Sequence, residues 1–240
     1  MVWTIFLIKF GRSASINIEY CRDPQYIGYK AVLKNKGVIG FDYLFGEISQ
    51  KKKPFDYETF VKSPIQFTAV VTNCQTGETE YIEKQEKEHI FAAVQASSSM
   101  PLFSQMVTIG ESQYLDGAVS NAIPVKWALE QGYDKVIVVL TRDKMYQKKP
   151  VSKQVKKLYA HHFKEYPKLV EKLYTMPERY NQIKKDIEEL EEKQKIFVFR
   201  PEKEVHVKRL EKDTQKLKDL YEEGKAETLQ KWDDLRKYLA

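Results

Sequence analysis

A carboxylate at the end of an apolar segment is the residue of this chain best placed to do chemistry. The segment Tyr114-Leu115-Asp116-Gly117-Ala118 predicts a strand that ends in Asp-Gly-Ala. Functional side chains of α/β proteins gather at the carboxyl ends of strands, so Asp116 lies where a site is expected. Gly117 has no side chain and leaves space beside the carboxylate. The same residues also permit a simpler interpretation, because Asp-Gly is a common turn dipeptide.

The segments around Asp116 follow an order that belongs to a known family. A serine-rich segment, Ala96-Ser97-Ser98-Ser99-Met100-Pro101, precedes the hairpin that leads to Asp116. Asn121 and Pro124 come after Asp116. This order resembles the patatin-like phospholipases, in which A-S-x-A-x-P precedes D-G-A or D-G-G, followed by N-x-P. The resemblance is to the bacterial, cytoplasmic branch and covers roughly residues 11 to 240. Further segments that carry it are INIEYCRD at 16–23, GFDYLFGEI at 40–48, PFDYETF at 54–60, VTNCQTGE at 71–78 and FVFRPEKEVHVKRL at 197–210.

The resemblance implies a serine–aspartate dyad that hydrolyses acyl esters in phospholipids or related lipids. In that family a serine on a G-x-S-x-G turn attacks the ester carbonyl, a Gly-rich loop stabilises the oxyanion, and no histidine takes part. Asp116, within the D-G-A motif of Asp116, Gly117 and Ala118, matches the proton acceptor. A lone carboxylate is a weak base for a hydroxyl, so it needs a close hydrogen bond and a desolvated site. No metal or organic cofactor is implied.

The nucleophile of that dyad is the missing part. The nearest match is Gly11-Arg12-Ser13-Ala14-Ser15, which lacks the final glycine that the sharp turn requires. We also expect no helix of normal length between Ser15 and the segment Ile16–Tyr20, where such a turn needs one. Ser13 is therefore not favoured, and we predict a patatin-like chain without its N-terminal nucleophile segment, inactive alone. Two alternatives stay open: a non-catalytic lipid- or partner-binding remnant, and half of a split hydrolase completed by a separately encoded N-terminal fragment.

Other reactive side chains give weaker signals. The four histidines, at positions 89, 161, 162 and 206, lack metal-ligand spacing and are expected at the surface. Ser97, Ser98 and Ser99 predict a helix end that runs into a turn before Pro101. Cys74 is expected to be a small buried thiol. No metal site is predicted.

Composition bounds the location and the partners. The chain has 240 residues, of which 42% are hydrophobic and 31% charged, with a net charge of +6. These values exclude a disordered chain, give no indication of nucleic-acid binding, and at most favour an anionic membrane surface. Two cysteines and no recognisable signal peptide predict a cytoplasmic protein, or one peripheral to the membrane.

The predicted elements change character near Pro150. Residues 1–150 predict a partial patatin-like α/β domain. In it, hairpins lie at 65–83 and 107–115, with helices at 87–96 and 124–132. The run VIVVL within 135–141 predicts a parallel strand buried on both faces.

Residues 151–240 predict a helical extension packed on that domain. Its helices are expected at 153–174, from Pro177 to about 193, and at 214–239, with a break before Pro177 and a short strand at 196–200. Buried positions in the last helix are expected at Leu217, Leu220, Tyr221, Leu229 and Trp232. The predicted fold class is a three-layer, patatin-like α/β fold, N-terminally truncated, with a helical C-terminal extension.

Overall fold

The structure, a computed structural model, describes residues 12–84, 89–208 and 210–240. A π-helical segment, Tyr43–Lys52, and a 3₁₀ turn, Gly117–Val119, accompany the regular elements. The strands are β1 (Thr68–Asn73), β2 (Thr79–Glu83), β3 (Val107–Ile109), β4 (Ser112–Asp116), β5 (Ile137–Val139) and β6 (Phe197–Phe199). The α-helices are α1 (Arg12–Tyr20), α2 (Tyr29–Asn35), α3 (Tyr57–Lys62), α4 (Ile90–Ala96), α5 (Val125–Glu130), α6 (Lys153–His162), α7 (Pro167–Glu192), α8 (Thr214–Gln230) and α9 (Trp232–Leu239).

These elements form two compact units. The first unit contains the described residues up to Asn121 together with Val151–Met176. The second contains the described residues of Ala122–Pro150 and of Pro177–Ala240. The domain boundary expected at residue 150 stays a prediction.

The first unit is built on a four-stranded antiparallel sheet with the order β2-β1-β4-β3. Gly77 and Gly110 turn the two hairpins with φ angles of +70° and +58°, a region that glycine enters without steric cost. Both predicted hairpins are therefore confirmed. The central pairing of β1 with β4 places Val71 opposite Asp116 and Asn73 opposite Tyr114.

Alternation along the strands gives this sheet two buried faces. Val71 and Tyr114 lie on the face that packs against α4, in a cluster with Ile90 and Val94. The opposite face packs against α6, α7 and the turn between them. Its cluster of buried residues consists of Cys74, Leu115, Val119, Phe163, Leu169 and Leu173. The unit therefore has a helix–sheet–helix layering, and the mixed α/β class with a helical C-terminal region is confirmed.

The second unit contains the parallel pair of β5 and β6, in register from Ile137 opposite Phe197. Val136 and Val138 point into a core formed with α5 and α7, whereas Ile137 and Val139 are 43% and 68% exposed. The prediction of a strand buried on both faces was wrong. The run is uniformly apolar, but helices cover only one of its faces among the described residues.

Two predicted features of the helices were also wrong. Helix α7 runs continuously through Pro177, and the break lies between α6 and α7 instead, just before Pro167. Proline is favoured in the first turn of a helix, so Pro167 suits the start of α7. Pro177 inside the helix removes one backbone hydrogen bond, and the packing of buried Leu173 and Ile187 on either side offsets this loss.

The predicted helix at 214–239 is divided at Lys231 into α8 and α9. Three of its expected core residues are exposed, and Leu235 is buried instead. The exposed three are Tyr221, Leu229 and Trp232.

Candidate active site

Asp116 is the last residue of β4 and the N-cap of the 3₁₀ turn that follows. Its Oδ1 accepts a hydrogen bond of 2.9 Å from the backbone N–H of Ala118, at the start of the 3₁₀ turn Gly117–Val119. The position at a strand end agrees with the sequence prediction. The carboxylate also has a structural role, because a side-chain oxygen at such a cap satisfies a backbone donor that the turn leaves unpaired.

Hydrogen bonds from two neighbouring segments fix the backbone of Asp116. Its N–H donates to the carbonyl of Ser99 at 3.0 Å, and its carbonyl accepts from Oγ1 of Thr72 at 2.9 Å. Thr72 is fully buried, and its Oγ1 lies 2.8 Å from Oγ of Ser120. Oγ1 of Thr79 donates to the same Ser120 oxygen at 2.8 Å. This chain of hydroxyls ties the turn after Asp116 to β1 and β2, so the carboxylate has a rigid support.

Gly117 is required by a close approach and not by an unusual backbone angle. A Cβ at this position would lie 2.4 Å from the carbonyl oxygen of Val70 and 2.9 Å from Cγ1 of the same residue. No side chain fits there, because real Cβ atoms do not approach backbone oxygen so closely. The Asp-Gly step therefore lets the turn pack directly on β1.

The serines that precede the Asp116 hairpin serve the end of α4. Oγ of Ser98 donates to the carbonyl of Val94 at 2.8 Å, and Oγ of Ser99 donates to the carbonyl of Gln95 at 2.9 Å. Ser97 is the residue after the helix. The predicted helix end and turn are confirmed, and these hydroxyls bond to the helix backbone.

Ser13 lies in the first turn of α1, and its side chain is outside the part of the chain that the structure describes, as is Gly11. Helix α1 has nine residues and ends at Tyr20. Ser15 and Ile16–Tyr20 belong to this one helix, so no separate helix lies between Ser15 and that segment. The missing final glycine of the Gly11–Ser15 segment also argues against Ser13.

A polar cluster that the sequence analysis missed lies on the α4 face of the sheet. Oε2 of Glu80 accepts from the hydroxyl of Tyr114 at 2.7 Å, and Oε1 accepts from Nδ2 of Asn73 at 2.8 Å. Burial, and then the hydrogen bond to Glu80, raises the pKa of Tyr114. The cluster borders a pocket of about 520 Å³. That pocket is lined by Thr79, Glu80, Tyr81, Ile82, His89, Ile109, Gly110 and Tyr114. The only available signal was register, because Asn73 and Tyr114 face each other only once β1 and β4 are paired.

The remaining candidates carry little chemistry. His161, His162 and His206 are exposed, as predicted, whereas His89 is half-buried at the start of α4. Cys74 is fully buried, and burial raises the pKa of its thiol to about 12. Across residues 12–84, 89–208 and 210–240, no three His, Cys, Asp or Glu side chains are grouped to hold a metal ion. In the same ranges, no helix combines the length and apolar character needed to cross a bilayer.

Comparison with known protein families shows which proteins this part of the chain resembles. Residues 30–129 match the family model of the patatin-like phospholipases. Over this range the chain is similar to the patatin-like phospholipases. The matched range includes the whole four-stranded sheet, Asp116 and the turn that Gly117 allows. A second model, described as a domain of unknown function (DUF6363), matches residues 166–240, and a search of curated proteins found no match. The resemblance to patatin-like proteins is thus confirmed, whereas the bacterial branch and the truncation stay predictions.

Proposed function

We propose that Asp116 is the general base of a patatin-like lipid acyl hydrolase that uses a serine–aspartate dyad. The observation that carries the proposal is the placement of Asp116: it ends β4 within the region that matches the family, and hydrogen bonds to Ser99 and Thr72 hold its backbone. The lipid acyl hydrolase class follows from the family. The role of Asp116, with Gly117 and Ala118 in the D-G-A motif, is our assignment.

In the proposed reaction a serine oxygen attacks the ester carbonyl of a phospholipid or related lipid. Its proton passes to the Asp116 carboxylate, which then donates it to the departing alkoxide, so that the alcohol leaves as the acyl-serine ester forms. Water then attacks that ester and gives a proton to Asp116, which returns it to the departing serine oxygen, so that the fatty acid and the free serine hydroxyl are released. The proposal requires no metal or organic cofactor and involves no nucleic acid.

We further propose that the nucleophile and the oxyanion donors come from a polypeptide segment outside these 240 residues. The sequence contains no G-x-S-x-G, and Gly11–Ser15 lacks the final glycine. Such a segment could precede this one in a longer polypeptide or be encoded separately, which would make a split hydrolase. The 240 residues alone are then expected to be inactive, because loss of the nucleophile costs about 10⁶-fold in a well-studied triad enzyme.

Labelling with a fluorophosphonate probe tests this assignment. The chain alone should neither react with the probe nor hydrolyse a p-nitrophenyl ester above background. Co-expression with a patatin-like segment that carries G-x-S-x-G should restore both. In that complex Asp116→Asn should abolish hydrolysis, since the amide keeps the shape but cannot accept the serine proton, whereas Asp134→Asn, at an exposed aspartate, should leave it unchanged. Labelling of the chain alone that disappears in Ser13→Ala would make Gly11–Ser15 the nucleophile turn and overturn this part of the proposal.

The second candidate function is a non-catalytic lipid-binding protein. It is favoured by the lack of a nucleophile motif together with an exposed apolar helix face on the first unit, at Tyr29 and Leu33. Lipid binding without hydrolysis, even after co-expression with the missing segment, would select it over the enzyme.

A further inference from the structure

Helix α2 is amphipathic, but its apolar stripe faces the solvent. Tyr29, Val32 and Leu33 are 65%, 46% and 79% exposed, whereas Ala31 is buried. Residues at i, i+3 and i+4 share one face of a helix, and such a face normally packs on the core. Here Ala31 packs toward Gly40 instead, so the three large side chains lie on the outer face.

Lysines flank this apolar face, and the nearest acidic residues in the sequence are Asp23 and Asp42, at either end of the segment. Lys30 and Lys34 lie on one flank of α2, and Lys36 follows at its C-terminal end, all three exposed. Residues 24–41 contain these three lysines and no aspartate or glutamate. The segment is therefore a small apolar face with a cationic border.

Backbone hydrogen bonds join the residue before α2 to the segment that precedes the Asp116 hairpin. The N–H of Gly28, just before α2, donates to the carbonyl of Val38 at 3.1 Å. The N–H of Val38 in turn donates to the carbonyl of Phe103 at 2.8 Å, and the ring of Phe103 is 44% exposed. Phe103 lies four residues after Ser99, whose carbonyl accepts from the N–H of Asp116.

We propose that the outer face of α2 docks on the surface of an anionic lipid bilayer. A surface helix with an apolar face and flanking lysines lies in the bilayer interface, where apolar side chains enter the acyl region and lysines meet anionic headgroups. A second copy of the chain fits this face less well, because a two-fold contact would bring the lysines of both copies together and lysine is depleted in protein interfaces. The choice of lipid as partner rests on the proposed function.

Vesicle sedimentation tests the proposal without measuring turnover, so its failure is distinguishable from failure of the proposed function. The 240-residue chain should bind phosphatidylcholine vesicles that contain phosphatidylserine more tightly than pure phosphatidylcholine vesicles. Leu33→Ser should weaken binding about tenfold, because the free energy gained when a leucine side chain leaves water corresponds to at least about tenfold in affinity. The double variant Lys30→Gln, Lys34→Gln should weaken binding to the anionic vesicles about thirtyfold, and 0.5 M salt should remove most of the preference.

Matched variants elsewhere control for general stickiness and charge. Ile65→Ser changes an isolated apolar residue of the same unit that is 75% exposed, and Lys153→Gln with Lys157→Gln removes two exposed charges from α6. Both should leave binding unchanged, with unaltered circular-dichroism melts for all variants. Absence of binding to anionic vesicles would overturn the proposal, as would equal losses in the Ile65 and Leu33 variants. A self-association that Leu33→Ser abolishes in sedimentation velocity would assign the face to a second copy instead.

Discussion

The carbonyl oxygen of Val70 occupies the space that a side chain at Gly117 would need. A Cβ built on Gly117 would lie 2.4 Å from that oxygen and 2.7 Å from the carbonyl carbon, both atoms of the central strand β1. Backbone atoms in the middle of a sheet cannot shift without breaking strand pairing, so the contact can be relieved only by moving the turn that carries Asp116.

Gly117→Ala should therefore lower the free energy of unfolding by about 1–3 kcal/mol, the usual cost of overpacking a tight site. Urea denaturation followed by circular dichroism gives this value. Gly224→Ala is the matched control: Gly224 lies within α8 with no described atom inside 4 Å of its would-be Cβ, and alanine should stabilise that helix by about 1 kcal/mol. Equal stability of the Gly117 variant and the wild type would contradict the packing described.

Because Cys74 is buried, the free energy of unfolding should fall as the pH rises through the alkaline range. Its thiol pKa rises from 9.0 to about 12 in the folded protein, because the thiolate loses its hydration. The folded state thus keeps a proton that the unfolded state releases, so this contribution is complete below pH 9 and is lost as the pH rises toward 12. Between these values the wild type should lose roughly 1 kcal/mol per pH unit more than Cys74→Ala.

Chemical denaturation at several pH values between 8 and 11 measures that difference. The buried thiol should also react slowly with a disulfide reagent at pH 8 until the protein is unfolded. Parallel stability curves for the wild type and Cys74→Ala, or rapid labelling of native Cys74, would contradict the prediction.

Lys184 fastens the loop after β5 from inside the second unit. It is 6% exposed, and its Nζ donates to the carbonyls of Tyr146 at 2.6 Å and Asp143 at 3.4 Å and also to that of Lys144. Lys184→Met keeps the apolar stem but leaves these carbonyls without their donor. The expected loss in unfolding free energy is about 2–4 kcal/mol, against less than about 0.5 kcal/mol for exposed Lys185→Met. Similar melting temperatures for the two variants would show that the loop does not depend on Lys184.

The outer face of β5 should promote self-association. Ile137 and Val139 present adjacent apolar side chains to solvent on a short parallel strand, and exposed apolar strands template association. Replacing both by threonine keeps the β-branched shape and adds a hydroxyl, so we expect a larger monomer fraction in size-exclusion chromatography with little change in melting temperature. The exposed Met145→Thr serves as a control outside the strand. A monodisperse wild-type monomer would remove the basis for this expectation.

Local features of the fold followed from the sequence. Turn glycines at positions 77 and 110, the apolar segments beside them and the Asp-Gly step predicted both hairpins and the strand end at Asp116, because each depends on backbone preferences within a few residues. The resemblance to patatin-like proteins was also readable from the chain, and the family match over residues 30–129 confirmed it.

Tertiary packing decided what the residue types left open. The apolar run at 135–141 predicted a strand, but only the placement of helices on one face determined that Ile137 and Val139 are exposed. In α2 the stripe of Tyr29, Val32 and Leu33 has the period of a buried face, yet a face is buried only where another element lies opposite. Here the side of the helix that carries Ala31 packs toward Gly40, so the stripe stays exposed. Periodicity fixes which side chains share a face, whereas the rest of the chain decides which face meets water.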